Sequence, residues 1–108
     1  MGIVISPDGR FEWDSDKNIQ NKKDHGFYFE EILFAFDDPF FLEAYDQDNS
    51  TVDEVRWKGI ASLNQRIYFF ISYTEREKRI RIISARVAES LEKECYYENY
   101  QNQVTGYE

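Results

Sequence analysis

The chain has 108 residues, with 13 Lys and Arg against 21 Asp and Glu, for a formal net charge of −8. That length suits one domain around one core, and that charge excludes a protein that coats nucleic acid indiscriminately. A lone cysteine, Cys95, excludes an internal disulfide framework and a cysteine-based zinc site, so a reducing cytoplasm is the expected location.

The N-terminal apolar stretch Ile3 to Ile5 is too short for a signal peptide or a spanning helix. Together with Phe11 to Trp13 it flanks Ser6-Pro7-Asp8-Gly9, where Pro presets the turn and Gly permits positive φ, so a short hairpin is predicted. Asp14 then caps a polar helix of about ten residues, with Asp16 at its positive end, Lys22 and Lys23 at its negative end, and Gly26 as the stop. Ile19 is the only apolar anchor of this helix, which places it on the surface. Phe29, Ile32, Leu33 and Phe36 fall at i, i+3, i+4 and i+7 and predict a core α-helix that ends at Asp37-Asp38-Pro39.

From Phe40 the pattern becomes strand-like, over residues 40–45, 55–63, 66–74 and 78–84. Short polar turns join the last three strands, so an antiparallel meander is the economical arrangement. A final helix over 86–97 would put Val87, Ala88, Leu91 and Cys95 on one buried face. Residues 99–108 are polar and aperiodic and read as a disordered tail beyond a single domain of residues 1–98. The fold class is α+β: two N-terminal helices and a C-terminal helix packed on an antiparallel β-meander.

Charge is segregated along the chain. Residues 1–54 carry a net charge of −10, residues 55–88 carry +6 and residues 89–108 carry −4. The basic stretch ends in Lys78-Arg79-Ile80-Arg81-Ile82-Ile83-Ser84-Ala85-Arg86, with Arg79 and Arg81 on one strand face. A basic segment in an acidic body suits an anion-handling site, and it also suits solvated strand faces paired with acidic neighbours. No P-loop, GxSxG or HExxH pattern is present, and no metal-ligating cluster is discernible. The pairs Glu30-Glu31 and Asp37-Asp38 are adjacent in sequence and point apart on a helix, which disfavours a two-carboxylate hydrolase.

Several motifs occur in order: Phe11-Glu12-Trp13-Asp14 with Lys17, Asn21, His25-Gly26, Phe29-Glu30-Glu31, Phe36-Asp37-Asp38-Pro39, Glu54-Val55-Arg56-Trp57, and the run from Arg81 to Ala88. In these the chain resembles the BrnT family of type II toxins, from about Phe11 to Tyr96. FEWD, a downstream His-Gly and RIISAR form a specific combination. The resemblance implies a RelE-like, metal-independent endoribonuclease toxin without cofactor that cuts mRNA, on or off the ribosome, and inhibits translation. It also implies a BrnA-type antitoxin that neutralises the toxin in a hetero-oligomer and supplies DNA binding for autoregulation, with no role for a membrane.

Metal-free RNA cleavage uses the adjacent 2′-hydroxyl as nucleophile, so the protein must align it, assist proton transfer and stabilise charge on phosphorus. Arginine suits the last task because its guanidinium stays charged and can fork onto two phosphate oxygens. The family's basic positions correspond to His25, Arg56 and Arg86 as catalytic residues, with Arg79, Arg81, Thr74 and Tyr96 as RNA or phosphate contacts. Each has a plainer alternative: His25 can cap a helix dipole, Arg56 can pair with Glu54, and Tyr96 can pack. The chain also departs from the family pattern at Asp24 (Lys in the family), Tyr28 (a helix-capping Ser), Ala61 (Gly) and the acidic run Glu89 to Glu94 (often Arg-rich). Asp24 and the acidic helix reduce phosphate attraction, which keeps open an acidic toxin-like binding scaffold that has lost catalysis, and the net charge of −10 over residues 1–54 keeps open an acidic nucleic-acid mimic directed at a basic protein.

Overall fold

A computed structural model of the chain describes residues 2–106. Six strands, β1 (Ile3–Ile5), β2 (Phe11–Asp14), β3 (Leu42–Tyr45), β4 (Arg56–Leu63), β5 (Ile67–Arg76) and β6 (Arg79–Val87), form one sheet in the order β1-β2-β6-β5-β4-β3. The meander from β4 to β6 is antiparallel, as its short turns predict, and β3 joins β4 antiparallel across the longer connection. The N-terminal hairpin also forms, and Gly9 (φ 75°) donates its N–H back to Ser6 O at 2.9 Å. Unlike the expected meander, the sheet is mixed: β2 runs parallel to β6, with Phe11 opposite Ile80 and Glu12 opposite Arg81.

Helix α1 (Ser15–His25) has the predicted ends. Asp14 Oδ1 accepts the N–H groups of Asp16 and Lys17 at 2.8 and 3.2 Å, and Gly26 closes the helix at φ 92°. Its anchor differs from expectation, because Ile19 is exposed and Asn18 and Asn21 are buried instead. Asn18 Oδ1 accepts the Phe29 N–H at 2.7 Å, and its amide donates to Glu30 at 2.6 Å. Asn21 Oδ1 accepts the Ala85 N–H of β6 at 3.0 Å, and its amide donates to Phe27 O at 3.1 Å. A helix without an apolar face is thereby docked by two buried side-chain amides, each of which both donates and accepts.

The next segment, Phe29–Asp37, is a 3₁₀ helix in place of the predicted α-helix. At three residues per turn the inward face becomes Phe29, Ile32 and Ala35, all buried, while Leu33 and Phe36 pack at its flank. Its start lacks the family's Ser, yet Glu31 supplies an alternative by accepting the Tyr28 N–H at 2.6 Å. Beneath it, Phe11, Trp13, Ile71, Tyr73, Ile82 and Ala85 build the main core on one sheet face. Phe41 seals that core over Gly59, where an added Cβ would sit 2.1 Å from its ring.

Helix α2 (Ser90–Thr105) covers part of the opposite face through a smaller cluster of Ile60, Ala88 and Tyr96. It starts four residues later than predicted because β6 continues through Val87, so Arg86 belongs to a strand and not to a strand-to-helix junction. The shift changes the buried face: Tyr96 turns inward, and Leu91 and Cys95, expected in the core, are exposed. The helix also runs to Thr105 through the segment predicted as a disordered tail, with Gly106 at φ 80° as its C-cap; Tyr107 and Glu108 lie outside the described residues. Among the described residues no helix is long and apolar enough to cross a membrane.

Asn21→Ala strands the buried Ala85 N–H and the Phe27 carbonyl, so it should cost about 1–3 kcal/mol. Ile19→Ala should change stability by less than about 0.5 kcal/mol. Urea unfolding of the two variants checks this ranking.

Candidate nucleic-acid interface

Alternation along β4, β5 and β6 divides their side chains between the core and the face on which α2 lies. Directly opposed residues in antiparallel strands share a face, and the register sets three rows there: Arg56, Thr74 and Arg81; Lys58, Ser72 and Ser84; Ile60, Phe70 and Arg86. The third row meets the cluster beneath α2. Ahead of it, the first two rows present Arg56, Lys58, Ser72, Ser84 and Arg81, all half-buried, with Arg79 farther along β6 on the same side.

Arg56, Arg79, Arg81 and Arg86 of this face each meet a carboxylate of the chain, and they do not all offer it the same edge. Glu12 on β2, 6% exposed, accepts the Nε–H of Arg81 at 2.6 Å and pairs with its Nη2 as well. The other Glu12 oxygen lies 4.0 Å from Arg79 Nη1, and Arg79 Nε donates to Gly9 O at 3.1 Å. Two guanidiniums are what make a buried carboxylate tolerable at this position. Arg56 donates its Nε–H to Glu54 at 2.8 Å, and that bond holds the Glu54 carboxyl below its ordinary range. Arg86 is gripped at its terminal nitrogens instead: Nη1 and Nη2 donate to the two Glu92 oxygens at 2.8 and 2.9 Å while the guanidinium stacks 4.3 Å from the Phe70 ring centroid.

The difference in edge matters for anion binding. Among the described residues, the Nη1 of Arg81 and both terminal nitrogens of Arg56 have no hydrogen-bond partner, whereas Arg86 retains only its Nε. Arg56 and Arg81 stand two strands apart, roughly 10 Å between backbones, a span that two long side chains can close on one phosphate.

Thr74, between them, is buried and donates its hydroxyl to Val55 O at 2.6 Å. It holds the start of β4 and is not open to a phosphate. Tyr96 has no exposed surface, and its hydroxyl donates to Asp38 at 2.6 Å; burial first, then that carboxylate, raises its pKa. Its ring is a core element and cannot stack on a base. His25 is exposed at the end of α1 and lines a cleft of about 180 Å³ with Lys17, Gln20, Asp24 and Ser84. Ser84 also belongs to the second row, so His25 stands at the β6 margin of the basic face. No group of three or more His, Cys, Asp or Glu side chains converges as a metal site among the described residues.

Sequence reasoning overlooked Glu12 as a site residue, since its role depends on the pairing of β2 with β6. It also passed over Lys58, which the period of two places on the face of Arg56.

The family model described as "Ribonuclease toxin, BrnT, of type II toxin-antitoxin system" matches residues 13–92. Among solved structures, the chain is similar to the Brucella abortus ribonuclease toxin, BrnT, with a TM-score of 0.54 and 22% identity, over 72% of this chain and 94% of that one. At that identity the likeness is one of fold. No curated protein matches the chain.

The Arg86 hydrogen bond outweighs the opposing effect of burial and holds the Glu92 carboxyl below its ordinary 4.5. A depressed carboxyl stabilises the fold above its unfolded pKa, and the contribution is lost as pH falls through the folded value. Glu92→Gln should therefore cost roughly 1 kcal/mol at pH 7 and nothing once Glu92 is protonated. Urea midpoints of variant and wild type should converge as the pH is lowered from 7 to 3.

Proposed function

The chain belongs to the BrnT family of ribonuclease toxins of type II toxin-antitoxin systems, and from that premise we propose that it is a metal-independent endoribonuclease that cleaves mRNA by 2′-hydroxyl attack. The observation that carries this reading is the row in which Arg56 and Arg81 flank Thr74, with both terminal nitrogens of Arg56 and the Nη1 of Arg81 unengaged among the described residues. In the proposed reaction these nitrogens bind the non-bridging oxygens of the scissile phosphate and meet the charge that grows on them as the phosphorane-like transition state forms. Because both guanidiniums are already anchored at Nε, little reorganisation accompanies that charge development.

His25, on the β6 margin, is assigned proton transfer to or from the reacting oxygens. Lys58 and Arg79 hold neighbouring phosphates. Arg86 joins them when a phosphate displaces Glu92 from its fork. Charge segregation supports the reading as well, because an acidic body around a basic face admits RNA along one path and repels it elsewhere. The architecture is read as RelE-like, the protein as cytoplasmic, and the partner as a BrnA-type antitoxin that covers the basic face and contributes all contact with DNA.

A second reading, a toxin-like scaffold that binds an antitoxin without cutting RNA, draws on the two-pronged occupation of Arg86 by Glu92. Cleavage of a defined RNA in EDTA separates the two. Arg56→Ala and Arg81→Ala should each lower kcat/KM about 100-fold, and Arg86→Ala about 10-fold or less, with Tm retained. His25→Ala should lower kcat while leaving KM near wild type. A folded wild-type protein that leaves RNA intact, with and without ribosomes, would favour the scaffold.

A further inference from the structure

We infer that Glu12 is a positioning residue of the phosphate site, acting through Arg81; the inference rests on the ribonuclease reading above. Arg81 comes from a strand whose neighbour on this side contributes only two paired positions, Phe11 and Glu12. At the second of these the buried carboxylate occupies the Nε and Nη2 edge of the guanidinium, and Arg81 Nη1 has no partner among the described residues. A guanidinium held along one edge loses its rotation about the terminal bonds, and the opposite edge keeps donors for an incoming anion. Glu12 therefore fixes Arg81 without competing for the nitrogen that faces substrate.

The other carboxylates of the face provide the contrast. Glu92 binds both terminal nitrogens of Arg86 and so competes with a phosphate for the same fork. Glu54 holds Arg56 by Nε, but from two residues earlier in the same chain segment and with a side chain 32% exposed, so water shares the contact. Glu12 is bracketed by Arg81 and Arg79, and its side chain is only 7% exposed. Without its charge, two neighbouring guanidiniums on one strand face would repel, and Arg81 would leave the row that it shares with Arg56. A preset cation acts mainly on the transition state, so the loss should fall on kcat more than on KM.

The test is a double-mutant cycle on cleavage of a defined RNA, using the full chain as wild type, Glu12→Gln, Arg81→Ala and the double variant, with Tm and circular dichroism to certify the fold. Glu12→Gln should lower kcat about 10- to 100-fold with KM within about threefold. In the Arg81→Ala background it should cause no further loss. The Arg81 Nε–H signal in NMR, protected in the wild type, should exchange rapidly in Glu12→Gln. If Glu12→Gln does not fold, Glu12→Asp carries the same cycle: it keeps the charge, withdraws the oxygens by one methylene, and should lower kcat about 10-fold.

Full activity in a folded Glu12 variant, or an undiminished loss in the Arg81→Ala background, overturns the inference and leaves the ribonuclease reading standing. Wild-type activity in Arg81→Ala overturns it too, by removing the residue through which Glu12 acts. RNA left uncut by the folded wild type, with and without ribosomes, overturns both.

Discussion

Strand β6 lies inside the sheet, and its backbone on the side away from β5 must find hydrogen-bond partners. One continuous segment supplies them in two ways. At the start of β6, Ile80 donates its N–H to Arg10 O at 2.9 Å, beside the short parallel pairing with β2. Farther along, after β2 has turned into α1, the side chain of Asn21 takes the Ala85 N–H. A helix amide thus continues what a strand began. That docking sends Phe11 and Trp13 into the core, sets Glu12 against Arg81, and brings His25 beside Ser84.

The net charge of −8 says little about the basic face until the pairing of its cations is known. Glu12, Glu54 and Glu92 each neutralise an arginine, and a tally of charges would treat them alike. Geometry separates them. A carboxylate at the Nε edge steadies a guanidinium and leaves it competent to bind, whereas one across both terminal nitrogens occupies the place that a phosphate would take. The departures from the family pattern act at this level as well. Asp24 lines the His25 cleft, and the acidic start of α2 supplies the clamp on Arg86.

Local chemistry made some features legible and left others hidden. The caps of α1, the Pro-Gly turn and the strand alternation from β4 to β6 were readable because each depends on a few consecutive residues. Asn18 and Asn21 were passed over because a buried amide is distinguishable from a surface one only by its distant partners, Phe29 and Ala85. The 3₁₀ geometry escaped because Phe29, Ile32, Leu33 and Phe36 satisfy a period of 3.6 as well as any α-helix does. Tyr96, Leu91 and Cys95 exchanged places once β6 ran on to Val87 and moved the start of α2. Arg56, Arg79, Arg81 and Arg86 were legible as one basic set through charge and motif, while the carboxylate edge that distinguishes them was not.

The parallel pairing of β2 with β6 also imposes an order in time. Glu12 and Arg81 lie 69 residues apart, so their contact closes a loop that spans most of the chain. Non-local pairings of this kind form late, because the entropy of closure is lost before the contacts compensate. During synthesis the N-terminal hairpin and α1 emerge before β3, β4 and β5, yet the strand that completes their docking, β6, comes after all of these. The constellation around Arg81 has no partial form on a growing chain, and topology alone delays it until the last of the six strands has been made.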